Sequence, residues 1–383
     1  METVMMKIGR IIAISTGAVW LTAFLMLTQA RAAGRDLRVK PIDAIFAGLI
    51  SNDEPGAAVL AVKNGEIVFE RGYGVADLGT LRKIDARTDF RLASVTKQFT
   101  AMVIMLLVHD GKLGYDRPLG DIFPDFPDYG RYITIRHLLN HTSGLLDYED
   151  LMPKLETATP LEQAQIKDTG VLELLKQQNS TKFPPGTRWN YSNSGYVLLG
   201  LMVEKVSGMP FDRFLQDRIF APLKMIHTVA YEPMKNKVPN RAFGHTKGST
   251  GWQQTDQSPT SATLGDGGVY SSLEDLAKWD RALRENTLLS GNEMGPALVS
   301  VQVPEGFVTQ PDGTPAEYGF GWFLNPYRGH ARMWHYGETV GFRTAIQRFP
   351  DDQLTIVVLC NRADLDGAGL ALKAAEIYLT STR

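Results

Sequence analysis

The chain has 383 residues, 44% hydrophobic and 21% charged, with 20 prolines and 36 glycines, a composition that excludes a disordered tail, a collagen-like rod and a coiled coil. Lys and Arg number 40 against 42 Asp and Glu, a net charge of -2, so no basic excess directs the chain to nucleic acid. The single cysteine, Cys360, cannot form an intramolecular disulfide.

Residues 1–32 read as a secretory signal peptide. Lys7 and Arg10 supply a positive n-region, residues 11–27 are uncharged and largely apolar, and Ala30-Arg31-Ala32 offers a small-x-small site with cleavage after Ala32. The rival reading is an uncleaved anchor, since the apolar stretch reaches the short edge of a spanning helix. Cleavage leaves residues 33–383 as one exported domain with a charge of about -4. A periplasmic or secreted location is expected.

Residues 41–50 read as a short amphipathic helix. Two strand-like runs follow, 56–62 and 66–73, joined by Asn64-Gly65, which tolerates the positive φ of a tight hairpin. Residues 90–108 change to an apolar helical pattern. From about 111 to 299 the pattern is mostly helical, with periodic stretches at 135–140, 171–178, 196–206 and 211–219. Ser272 and Asp275 form a capping box for a helix through Leu283. Strand-like runs return at 318–324, 333–336, 342–349 and 354–360, the last holding Cys360 as a small core hydrophobe. A helix over 370–379 closes the chain. The expected fold is α+β: a mostly antiparallel sheet built from about 41–110 and 300–383, flanked by helices, with a mostly helical region inserted at about 111–299.

Three motifs carry chemistry. Ser94-Val95-Thr96-Lys97 is Ser-x-x-Lys; on a helix the two side chains share a face. A serine hydroxyl needs a neighbouring base, and Lys97 serves only if burial lowers its pKa from about 10.4. The apolar run 101–108 supplies such burial. Ser94 is expected in the helix's first turn, where unpaired N–H groups favour negative charge. Tyr191-Ser192-Asn193 follows the rigid turn Phe183-Pro184-Pro185-Gly186; nearby cations would bring a phenol's pKa of about 10 down. His335-Tyr336-Gly337 lies on a late strand. His335 would be a second cation or a hydrogen-bond donor to the tyrosine, and Gly337 would let a substrate backbone approach.

Together and in this order, the motifs resemble the serine β-lactamase and penicillin-binding-protein superfamily, in particular its class C branch with the related esterases and D-peptidases. Segments 136–144, 183–190 and 267–272 resemble further parts of that family, and the likeness spans about residues 45–380. The resemblance implies a β-lactamase/transpeptidase-like fold. It implies Ser94 as acylated nucleophile, Lys97 as its proton acceptor and as stabiliser of a tyrosinate, and Tyr191 as general base for acylation and deacylation. It also implies Asn193 as the residue orienting that pair, and the N–H groups of Ser94 and Glu338, next to Gly337, as the oxyanion hole. His335 departs from the family's usual lysine in Lys-Thr-Gly. A lysine helps hold a substrate carboxylate, whereas a histidine is only partly charged at pH 7. This shifts the expected substrate from β-lactams toward esters, amides or D-amino-acid peptides. Arg343 would supply a replacement charge or be solvated, and Trp322, Trp334 and Phe342 would line an acyl pocket or simply pack the sheet.

No cofactor or metal is expected. His137 and His141 are spaced i,i+4 but lack the His-Glu-x-x-His pattern. The glycines at 265–268 lack a phosphate loop's lysine, and no Gly-x-Ser-x-Gly elbow occurs. The expected partner is a small-molecule or peptide substrate, with membrane contact only through an uncleaved signal segment. The alternative to an enzyme is a catalytically inactive relative that binds peptide or cell-wall fragments.

Overall fold

A computed structural model describes residues 39–153, 164–303 and 317–379. The expected signal segment and its cleavage site lie outside these residues.

Helix α1 (Val39–Ala47) leads into strands β1 (Ala57–Lys63) and β2 (Glu66–Tyr73). Helices α2 (Lys97–His109), α3 (Asn193–Ser207) and α4 (Leu273–Glu285) belong to the middle of the chain. Strands β3 (Met333–Thr339), β4 (Phe342–Phe349) and β5 (Leu354–Cys360) and helix α5 (Gly367–Glu376) close it. The main sheet has the order β3-β4-β5-β1-β2 with every pair antiparallel. The two ends of the chain meet where β1 pairs with β5, Ala57 opposite Cys360 and Lys63 opposite Leu354. The β1–β2 hairpin turns at Asn64 and Gly65, with φ of 54° and 80°, the geometry a two-residue hairpin demands.

Both faces of the sheet are covered, which is why β1 and β5 read as nearly continuous apolar runs. Along β1, Ala57, Val59 and Ala61 join Ile42 and Phe46 of α1 and Ala371 and Ala374 of α5. The alternate residues Ala58, Leu60 and Val62 join the large core around α2, α3 and α4. Cys360 lies in the first of these layers, and burial pushes its thiol up to about 12, so it remains an unreactive hydrophobe.

Three expectations change. Residues 90–108 are not one helix: Phe90–Arg91 pair with Ser271 and Tyr270 in a small sheet, Ala93–Thr96 form a single 3-10 turn, and the α-helix begins at Lys97. Residues 318–324 are not a strand. Tyr318 and Phe323 make an isolated bridge around Gly321 at φ 76°, because the chain doubles back there to seat Gly321 against Lys97. A Cβ on Gly321 would stand 2.8 Å from the Lys97 carbonyl oxygen. The Ser272 cap is half a box. Its hydroxyl accepts from Asp275 N at 3.3 Å, but the Asp275 carboxylate accepts from His227 N and the Thr228 hydroxyl instead. Within the mostly helical central region lies a second hairpin, His245–Gly248 with Gly251–Gln254.

Candidate active site

Ser94 sits on the 3-10 turn between the main sheet and α2. The turn is entered sharply, with Ala93 at φ 47°, a left-handed conformation that is uncommon outside glycine. Its surroundings fix it on every side. Leu92 N donates to Val269 O at 2.8 Å, Val269 N donates to Thr96 Oγ1 at 3.1 Å, and the Thr344 hydroxyl of β4 donates to Leu92 O at 2.8 Å.

Gly337 of β3 explains the close approach. A Cβ there would stand 2.1 Å from Leu92 O, 2.5 Å from Thr344 Oγ1 and 3.1 Å from Ala93 Cβ. The glycine was expected to admit a substrate backbone; it admits the backbone of the nucleophile turn itself. Gly337→Ala should therefore push β3 and the Ser94 turn apart. We expect a cost of about 1–3 kcal/mol, the usual scale of overpacking, read as a lowered melting temperature together with at least tenfold lower activity. An unchanged melting curve and rate would show that the contact is not tight.

Lys97 opens α2 and is fully buried. Its Nζ donates to three acceptors: Ser94 Oγ at 3.0 Å, Asn193 Oδ1 at 2.9 Å and the Asp266 carbonyl at 2.9 Å. Burial lowers its pKa to about 8, and the carboxylates of Asp266, Asp147 and Glu149 oppose the shift. The neutral amine is thereby brought within reach of neutral pH beside Ser94. Asn193 is the first residue of α3, whose cap Ser192 accepts from Gly195 N at 3.1 Å. Its amide links the amine to Glu149, with Nδ2 donating to Oε1 at 3.4 Å.

Tyr191 shares a hydrogen bond with the Ser94 side chain, and Lys97 Nζ lies 4.8 Å from its ring centroid. The expected lowering of its pKa does not occur. Burial raises it well above 10, and the Ser94 hydrogen bond offsets only part of that. The phenol therefore keeps its proton in the resting site.

His335 is not a second cation. It is 1% exposed, and burial followed by the charge of Lys97 takes its pKa down to about 3. Its Nδ1 donates to Tyr336 O at 2.6 Å, which leaves Nε2 to accept from the Tyr318 hydroxyl at 3.1 Å. Its ring centroid is 6.2 Å from that of Tyr191, and Tyr318, not Tyr191, takes its hydrogen bond. Arg343 gives Nη1 to the Thr339 and Phe342 carbonyls and stands 3.8 Å from Glu338, so it caps the β3–β4 turn. Trp322 and Phe342 are core residues, and Trp334 packs with Tyr318 and Phe323; none of the three lines the cleft.

The cleft over Ser94 is small and open to solvent, with a volume of about 50 Å3. Ser94, Asn193 and Glu338 line it together, as expected. Tyr148, Glu149 and Asp266 line it too, and the sequence reading did not single these out. Asp266 is 6% exposed; one carboxylate oxygen accepts from the Tyr148 hydroxyl at 3.0 Å and the other has no partner among the described residues. Glu149 lies at the mouth, its pKa raised by the surrounding protein and then by the charges of Asp147 and Asp266. The signal that could have found Asp266 was its place between Gly265 and Gly267, where a tight loop delivers a carbonyl to a buried amine. Among the described residues no group of acidic, histidine or cysteine side chains has the makings of a metal site.

The arrangement holds a hydroxyl against an amine of lowered basicity, with a phenol on the hydroxyl and an open cleft beyond. The Beta-lactamase family model matches residues 42–379. A penicillin-binding protein of Bacillus subtilis (strain 168) is 32% identical over 354 residues, covering 89% of this chain and 76% of the relative. A D-aminopeptidase of Brucella canis is 30% identical over 315 residues, 80% of this chain and 56% of the relative, so the chain spans little more than half of that protein. Among solved structures, a penicillin binding protein from Bacillus halodurans superposes with a TM-score of 0.74 at 27% identity, covering 88% of this chain and 100% of the other. D-amino acid amidase from Ochrobactrum anthropi SV3 superposes with a TM-score of 0.72 at 23% identity, covering 88% of this chain and 97% of the other, a likeness of fold.

Proposed function

The chain belongs to the beta-lactamase family, and on that footing we propose that it is an exported serine hydrolase that forms an acyl-enzyme on Ser94, acting on amides, esters or short peptides of D-amino acids with a free amine. Export rests on the charged and apolar pattern of residues 1–32. The observation that carries the chemistry is Lys97, a buried amine 3.0 Å from Ser94 Oγ with its pKa brought to about 8.

Neutral Lys97 takes the Ser94 proton as Oγ attacks the substrate carbonyl. Negative charge develops on the carbonyl oxygen and is received by the N–H groups of Ser94 and Glu338, a kind of contact worth about 2.7–4 kcal/mol when a donor is removed. The proton passes from Lys97 through the Tyr191 phenol to the leaving amine or alkoxide, whose bond to the carbonyl carbon breaks. Water then enters, gives its proton back along the same path, and its oxygen displaces Ser94 from the acyl group.

Charge in the cleft selects the substrate class. Glu149, Asp266 and Glu338 line it, and Arg91, the one Lys or Arg among the lining residues, is 3% exposed with Nε and Nη2 on the Gly267 and Ser261 carbonyls. Among the described lining residues a carboxylate-bearing β-lactam meets no exposed cation, whereas a substrate ammonium meets crowded carboxylates. The D-configuration rests on the named D-aminopeptidase. D-alanine p-nitroanilide should be cleaved with a kcat/KM roughly 10–100-fold above its N-acetyl form, the scale of a charge-assisted contact, and above nitrocefin and the L-isomer. Faster turnover of nitrocefin, or equal rates for the free and acetylated amines, would overturn this choice of substrate.

A further inference from the structure

His141 lies in the segment 136–144 that marks the family resemblance, yet the reaction above gives it no task. It follows the short helix Ile135–Leu139 with a left-handed φ of 63°, uncommon for a residue other than glycine. It is fully buried. Its carbonyl accepts from Asn190 N at 2.9 Å, and its Nδ1 accepts from Ser192 N at 3.2 Å. Both neighbours of Tyr191 are thus fastened to one residue. The imidazole also packs on the tyrosine itself, centroids 4.4 Å apart with 39° between the planes.

Acceptance at Nδ1 puts the proton of the neutral ring on Nε2. That nitrogen has no hydrogen-bond partner among the described residues. The rings of Tyr191, Tyr318 and Tyr196 pack around the imidazole, their centroids 4.4, 4.6 and 5.1 Å from its own. Burial, followed by the charge of Lys97, holds the imidazole pKa well below the ordinary value, so the ring stays neutral. A buried donor left unpaired in the resting state is costly and calls for a reason. An N–H dipole beside an aromatic ring favours negative charge on that ring.

We propose that His141 is a positioning residue for Tyr191: it holds the phenol on Ser94 through both flanking residues and presents an N–H that favours the tyrosine's partial ionisation as the proton passes. The proposal rests on Ser94 being the nucleophile, not on the identity of the substrate.

The test is the rate at which a fluorophosphonate modifies Ser94 in the wild type, H141N, Y191F and the double variant. Asparagine tolerates left-handed backbone and offers an acceptor near the place of Nδ1, but no ring and no Nε2–H. H141N should slow labelling at least tenfold in the wild-type background and less than threefold in Y191F, a coupling that a merely structural residue would not show. Equal slowing in both backgrounds, or none in a reactive wild type, overturns the role of His141 alone. A wild type whose Ser94 takes no label overturns the nucleophile, and this role with it. Should H141N not fold, nitrogen NMR of the wild-type histidines decides: His141 should stay as the Nε2–H tautomer from pH 8 to 5, and a titration near 6.5 or the opposite tautomer would refute the proposal.

Discussion

Ser94→Ala should lower kcat on any acyl substrate by roughly 10,000-fold or more, the scale on which removing a catalytic nucleophile is felt, while leaving the fold intact. The expectation follows from the position of the side chain. Ser94 is half-buried, and its turn is held by the backbone of Leu92 and the hydroxyls of Thr96 and Thr344, none of which bonds to its own hydroxyl. Loss of Oγ removes one acceptor from Lys97, whose amine keeps Asn193 and the Asp266 carbonyl. Melting should therefore shift by no more than a few degrees while turnover disappears. Turnover surviving within tenfold of the wild type would place the chemistry elsewhere.

Lys97→Met should cost kcat nearly as much, because the amine is both the proton acceptor and the tie between Ser94, Asn193 and the Asp266 loop. The wild-type pH profile carries the same prediction. Lys97 must be neutral to accept a proton, and its pKa is lowered from 10.5 to about 8. The rate should then rise with pH, half-maximal near 8, and fall below that as the amine takes up its proton. His335, with its pKa near 3, is neutral across pH 5–8. Replacing it by glutamine should leave the midpoint of the limb where it is, whatever happens to the rate. A limb centred near 6.5 that vanishes in His335→Gln would return the titration to the histidine.

Much of this architecture was legible because its signals are local. Asn64-Gly65 marks a hairpin by the φ values it tolerates, and the apolar runs of β1 and β5 announce strands covered on both faces. The Ser-x-x-Lys spacing put Ser94 and Lys97 on one side of a turn whether that turn is 3-10 or α. What failed depends on burial and on distant partners. Nothing around Phe90 and Arg91 in the chain says that Ser271 and Tyr270 will pair with them and delay the helix. The Tyr191 and His335 motifs suggested a phenolate flanked by cations, and ordinary pKa values encourage that reading. Once enclosed, both groups are pushed to their neutral forms, and only Lys97, opposed by three carboxylates, stays within reach of neutral pH. Asp266 and Glu149 went unnoticed because one contributes a carbonyl, which every residue has, and the other lies on a single helical turn, Tyr148–Leu151, without a motif.

The most direct test of the account is to quench turnover of a D-alanine p-nitrophenyl ester with acid and map the modified peptide by mass spectrometry. One alanyl group should be found on the peptide containing Ser94, and its yield should follow the same pH dependence as turnover, half-maximal near 8. An unmodified protein during demonstrable turnover, or an alanyl group on any other residue, would contradict the acyl-enzyme.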